Sequence, residues 1–201
     1  MTKTELQRLL RESTSTLKNT SKDDSCTPVQ YMTTITEPAI NFDGFMQKYI
    51  NSVRAKRSQK PKSCDAFLEK DDARRILIEF KNGKLDSKVK DEVRHKMTAS
   101  CLCLLDTLDE KVDYAREKFD FILVYNEQKN PCDLDEGKLE PGEVQASNSL
   151  ASLQSGIASA AHQPVTMPEF EFYEGLWFRK VRTFPAEMFE REYNKNFPNM
   201  N

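Results

Sequence analysis

Asp65, Glu79 and Lys81 are the residues whose types and spacing point to chemistry in this 201-residue chain. They lie in the stretch Ser63 to Lys84, SCDAFLEKDDARRILIEFKNGK, where two apolar runs, Cys64 to Leu68 and Ile76 to Phe80, flank the polar segment Lys70-Asp71-Asp72-Ala73-Arg74. A segment of that length between strand-like runs predicts a β-hairpin. Asn82-Gly83 then ends the second strand with a turn. Side chains alternate across a strand, so Glu79 and Lys81 share one face and Phe80 takes the other. With Asp65 beside them, two carboxylates and an ammonium meet on one side of the sheet. Oxygen ligands of this kind suit hard cations such as Mg²⁺, held by one or two carboxylates, waters and a substrate phosphate. A lysine next to such a cation steadies an attacking water or a developing charge, and the chemistry is phosphodiester hydrolysis. The same three residues also fit a turn-forming Asp and a cross-strand Glu–Lys ion pair on a solvated edge.

Asp65, followed fourteen positions later by Glu79-Phe80-Lys81, resembles the signature of the PD-(D/E)xK phosphodiesterase superfamily, the restriction-endonuclease-like nucleases. The similar stretch runs from about Phe42 to Asn126, and Cys64 stands where the family's motif has proline. The resemblance implies an α/β (α+β) fold with a mixed central β-sheet flanked by helices, an αβββαβ core, and a C-terminal elaboration over residues 127–201. It implies Asp65 and Glu79 as ligands of Mg²⁺ or Mn²⁺, the Phe80 carbonyl as an extra ligand, and Lys81 as the catalytic lysine. In the family the helix before the hairpin often adds a further acid, here Glu37 or Asp43. The helix after it lends a basic side chain to the scissile phosphate, here Lys88, Lys90 or Arg94. The substrate implied is nucleic acid, DNA rather than RNA. The alternative is a nuclease fold without activity, serving as a binding or assembly module.

Charge is distributed in keeping with that substrate. The whole chain is −2, no mark of a general nucleic-acid binder. Yet residues 44–100 carry 15 basic and 8 acidic side chains, whereas residues 101–201 carry 10 and 18. Lys48, Arg54, Lys56, Arg57, Lys60 and Lys62 fall within one acid-free stretch, and Lys84, Lys88 and Arg94 follow the hairpin. A positive zone around the proposed cluster is what a polyanion requires. A solvated helix end complementing its dipole explains the same run.

Other chemistries lack their residues. Cys26, Cys64, Cys101, Cys103 and Cys132 form an odd set without a CxxC pair, and His95 and His162 are the only histidines. They predict reduced thiols rather than a zinc site or a Cys–His nucleophile. No Walker A loop, GxGxxG or GxSxG is present. No apolar run reaches the ~20 residues of a membrane span, which makes a cytoplasmic protein the expectation.

The flanking elements follow from periodicity. Residues 1–27 read as an N-terminal amphipathic helix and linker, and 28–201 as one domain with its core at about 36–126. Val29 to Ile35 suggests a strand. Thr36-Glu37-Pro38 suggests a helix start, and Phe42, Phe45, Met46, Tyr49, Ile50 and Val53 form one apolar face behind it. Ser87 to Glu110 predicts the longest helix, and Phe119 to Tyr125 a buried strand beside the hairpin. Glu127 to Glu143 reads as an acidic loop, and Gln145 to His162 as a weak helix or insert. Phe170 to Arg182 suggests a strand pair whose Tyr173, Trp177 and Phe178 are available to stack on bases, and Ala186 to Asn194 a closing helix. A groove wide enough for duplex DNA would come from a homodimer or a partner protein.

Overall fold

The computed structural model describes residues 2–53, 61–70, 74–130 and 167–196. Its sheet grows from the two most apolar runs. Phe119–Tyr125, buried at every position, pairs in parallel with Arg74–Lys81, buried from Ile76 to Phe80. In chain order the strands are β1 (Thr14–Thr16), β2 (Lys22–Asp23), β3 (Gln30–Tyr31), β4 (Pro38–Asn41), β5 (Ala66–Lys70), β6 (Arg74–Lys81), β7 (Phe119–Tyr125) and β8 (Lys180–Pro185). The helices are α1 (Lys3–Arg11), α2 (Leu17–Thr20), α3 (Phe42–Ser52), α4 (Ser87–Leu108), α5 (Val112–Lys118), α6 (Pro168–Glu171) and α7 (Ala186–Asn196), with a single 3₁₀ turn at Glu127–Lys129. Six strands make a mixed sheet in the order β1-β4-β5-β6-β7-β8, antiparallel up to β6 and parallel beyond it. Strands β2 and β3 form a separate small hairpin.

Both faces of the sheet are covered, as the unbroken apolar runs require. On one face Phe67, Leu77, Phe121 and Leu123 pack with Phe42, Phe45, Val93, Met97 and Leu104 of α3 and α4. On the other Leu68, Ile78, Phe80 and Val124 pack with Leu17, Phe189 and Tyr193. Each such fully buried side chain contributes about 1.5–3 kcal/mol over its exposed state. The N-terminal segment belongs to the same body, because β1 pairs with β4 and Leu10 joins the α3–α4 core.

The hairpin, the long helix and the buried strand fall where periodicity places them. Three other elements differ. Between Val29 and Ile35 only Gln30–Tyr31 is strand. Pro38 opens β4, a place in a strand that proline tolerates, instead of the first turn of a helix. Here Ile40 pairs with Phe67, and Asn41 becomes the cap of α3, its Oδ1 accepting from Gly44 N at 2.9 Å. The supposed strand pair Phe170 to Arg182 is α6, a turn through Gly175 at φ 76°, and then β8 parallel to β7. Proline at the first turn of α6 and burial of Phe170 and Phe178 outweigh the aromatic alternation. Only two strands, β5 and β6, lie between α3 and α4 among the described residues, where αβββαβ has three; β4 precedes the helix instead. The hairpin tip 71–73 and the segment Gln145 to His162 lie outside the described residues.

Candidate active site

Glu79 sits where a leucine would be expected. It follows Leu77 on the face of β6 that α4 covers, and it is 0% exposed. The same alternation directs Phe80 to the opposite face, edge-on to Phe189. A carboxylate there costs heavily unless cations meet it, and two do. Lys96 Nζ lies 2.7 Å from Glu79 Oε1, and Lys81 Nζ 2.9 Å from the same oxygen. Glu79 Oε2 is buried without a hydrogen-bond partner among the described residues.

Asp65 reaches the same ammonium, with Lys96 Nζ at 3.4 Å from its Oδ1. Its backbone is fixed on two sides, by Asp65 N donating to the Ile78 carbonyl and by Phe42 N donating to the Asp65 carbonyl, both at 3.1 Å. Its other oxygen, Oδ2, accepts from the Phe80 N–H at 2.7 Å. Just upstream, Cys64 N donates to the Ser100 hydroxyl of α4 at 2.9 Å, so strand and helix are tied at the site itself. Asp65, Glu79 and Lys81 are therefore brought together, with Lys96 at their centre.

The electrostatics follow from this packing. Burial pushes the Glu79 carboxyl up to about 8; the neighbouring Asp65 charge adds to the rise, and Lys96 and Lys81 oppose it. Burial also raises Asp65, against Lys96 and the Phe80 N–H. Burial works against the Lys96 charge, but Asp65 and Glu79 outweigh it and hold this ammonium's pKa above its ordinary value. Around the cluster, Glu92 of α4 pairs with Lys62 at 2.6 Å and approaches Lys81 at 3.6 Å. Its pKa is lowered, first by the hydrogen bond from Lys62.

The remaining predicted residues separate. Asp43, at the start of α3, accepts from the Ser63 hydroxyl and lies close enough to raise the pKa values of Asp65 and Lys96. Glu37 does not join: its carboxylate is held by Lys70 and by the Tyr193 hydroxyl of α7. Its place before β4, not in a helix, directs it to that helix. Phe80 contributes its N–H, to Asp65, and that is the contact it makes in the cluster. Lys84 and Lys88 are exposed, Lys62 is paired with Glu92, and Arg94 is engaged by Asp91 and by the Glu169 carbonyl. Lys90 pairs with Glu169. Arg54, Lys56, Arg57 and Lys60 lie outside the described residues. Phe178 is fully buried and so is no stacking platform, while Tyr173 and Trp177 are half-buried against the core.

Sequence reading missed the role of Lys96, although the signal was present. Lys96 falls three residues after Val93 and next to Met97, on the apolar side of α4, and a lysine in that phase faces the sheet. A cleft of about 360 Å³ borders the cluster, lined by Asp65, Phe80, Lys81 and Asn82 from the sheet and by Ser21 to Ser25 around β2.

Among the described residues no group of three or more His, Cys, Asp or Glu side chains is arranged to hold a metal ion. Two carboxylates are enough for Mg²⁺, which keeps waters and takes the rest of its shell from substrate phosphate. The bare Oε2 of Glu79 and the second carboxylate beside it fit that demand. No helix of the described residues is long and apolar enough to cross a membrane. Compared with protein-family models, with curated proteins and with solved structures, the chain matches none.

Proposed function

We propose that this chain is a divalent-cation-dependent nuclease with a restriction-endonuclease-like core, hydrolysing phosphodiester bonds of nucleic acid, DNA before RNA. The supporting observation is the meeting of Asp65, Glu79, Lys81 and Lys96 beside a cleft, at the carboxyl ends of parallel strands where open α/β sheets place their ligands. Asp65 and Glu79 would hold Mg²⁺ or Mn²⁺. When bound, that cation supplies Lewis-acid polarisation of the phosphate and an ionised water. Lys81, 18% exposed and at the cleft wall, orients the attacking water and meets the charge that develops on the phosphoryl oxygens. Lys96 holds both carboxyl groups convergent before substrate arrives and opposes the rise in their pKa values that burial causes. Asp43 and Glu92 set the field around them.

Incubation of the chain with single- and double-stranded DNA and with RNA, in Mg²⁺, Mn²⁺ or EDTA, tests the reading. Cleavage requires the divalent ion and falls by roughly 10²-fold or more in Glu79→Gln and in Lys81→Ala. Cleavage that survives both changes unaltered would refute it. A second reading has one observation of its own. Lys96 bridges both carboxylates with its own ammonium, as a fold that has given up catalysis would also arrange. Binding of nucleic acid without cleavage, indifferent to Glu79→Gln, selects that reading.

A further inference from the structure

Beside the Asp65–Lys81 cleft lies a second pocket of about 330 Å³, and the two share Met32 and Asn82 as a common wall. Their chemistry differs. The first is lined by Lys22 and Lys81 as well as acids, whereas among the described residues no lysine or arginine lines the second. The second instead offers the amides of Gln30 and Gln128, the carboxylates of Glu127 and Glu187, and apolar surface from Tyr31 and Pro185. Two carboxylates with no cation among the described lining residues disfavour a phosphate. A flat, uncharged molecule with N–H donors on its edge and a π face suits all of these groups at once.

The pocket is organised before any occupant arrives. Asn82 is only 8% exposed and its amide is fully used: it donates to Asp23 Oδ2 at 2.8 Å and to Gln30 Oε1 at 2.9 Å, and its Oδ1 accepts from Asn126 Nδ2 at 2.8 Å. Gln30 is thereby fixed by its oxygen, leaving its NH₂ as a donor for a ligand. Tyr31 is 44% exposed and carries the Lys18 ammonium 5.1 Å from its ring centre, which steadies the ring. Asn82 directly follows Lys81, about 3.8 Å away along the backbone. A strand whose phosphate lies against Lys81 therefore has to pass only one side chain to deliver a base.

We propose that this pocket is a nucleobase subsite: the nucleotide beside the cleaved phosphate splays its base against Tyr31, and the base's exocyclic amino group donates to the Glu127–Glu187 rim. Adenine, cytosine and guanine bring the two N–H donors of an amino group where thymine has only its single imide N–H, so thymine binds more weakly. The position of the strand rests on the nuclease reading, but base binding in the pocket does not.

Free nucleosides separate the two, since they have neither a phosphate nor a bond to cut. Deoxycytidine, deoxyadenosine and thymidine are titrated into the full chain and followed by amide NMR. The expected result is saturable binding of deoxycytidine and deoxyadenosine, with shifts at residues 30–31, 126–128 and 186–187. Tyr31→Ala, and the pair Glu127→Gln with Glu187→Gln, weaken it about tenfold; Lys81→Ala leaves it unchanged. Equal binding of thymidine, or indifference to Tyr31→Ala, overturns the subsite. If deoxycytidine binds as expected but no nucleic acid is cut, the subsite stands and the nuclease reading fails. If cutting occurs with no nucleoside binding, and Tyr31→Ala cuts as the parent does, the subsite fails and the nuclease stands.

Discussion

Strand β6 carries a buried charge cluster at each end, and the two are built on opposite plans. At its start, Arg74 and Arg179 both donate to Asp120 Oδ2, at 3.0 and 2.6 Å, with Asp120 only 7% exposed. One acid lies between two cations and joins three neighbouring strands or their flanks. At its finish, Asp65 and Glu79 share the Lys96 ammonium and Lys81 adds a second cation; in each cluster one carboxylate oxygen, Asp120 Oδ1 or Glu79 Oε2, has no hydrogen-bond partner among the described residues. The first cluster is a tie in which like charges are kept apart by the acid between them. The second gathers two acids beside a cleft, where the Lys96 ammonium holds them together against their mutual repulsion. Convergence of like charges next to open space, more than burial of charge as such, sets the second cluster apart from a strut.

Breaking the tie should have the largest effect on stability. Asp120→Ala strands two guanidinium groups and should cost about 4 kcal/mol in urea unfolding, while the folded fraction keeps whatever cleavage the parent shows. Lys96→Met at the other end should cost about 3 kcal/mol, because two buried carboxylates lose their shared partner. The difference between the clusters appears on adding Mg²⁺. At ten times the parent's Kd, Mg²⁺ adds about 1.4 kcal/mol to Asp120→Ala, whose Asp65–Glu79 pair is untouched, and more to Lys96→Met, where no ammonium competes for those carboxylates, as melting curves with and without the ion would show.

A pH series sharpens the contrast further. The folded-state value of Glu79, about 8, lies above its ordinary 4.5, so folding favours the protonated carboxyl. That contribution is complete below about pH 4.5 and is lost as pH rises through 8. Urea midpoints measured from pH 5 to 9 should decline for the parent and flatten for Glu79→Gln; an equal decline in both removes Glu79 as the cause. The smallest effect belongs to the support. Asn41→Ala removes the cap of α3 and should cost about 1 kcal/mol by thermal unfolding, with cleavage changed less than in any variant of the cluster itself.

The parts legible in the sequence were those governed by local pattern. Alternation alone puts Glu79 and Lys81 on one face, and an unbroken apolar run marks Phe119–Tyr125 as an interior strand. Lys96 was overlooked because it sits among Lys88, Lys90, Arg94 and His95, and a basic run is ordinarily read as solvated; only helix phase distinguishes it. Pro38 and Glu37 misled because a proline near an acid favours a helix start in isolation. The partner of β4 lies more than twenty residues away, at Phe67, and no local signal reports it. Phe170 to Arg182 misled for the related reason that aromatic alternation does not reveal whether a residue pairs with a strand or fills a core.

The shorter of the two bonds that hold the Asp65 carboxylate comes from a peptide N–H, at 2.7 Å against 3.4 Å for the Lys96 ammonium. Aim of the first acid is thus written into the main chain of the strand that bears the second, and nearly any amino acid at position 80 inherits it. Drift at that position leaves the alignment untouched. Proline alone, having no hydrogen to give, would unfasten it.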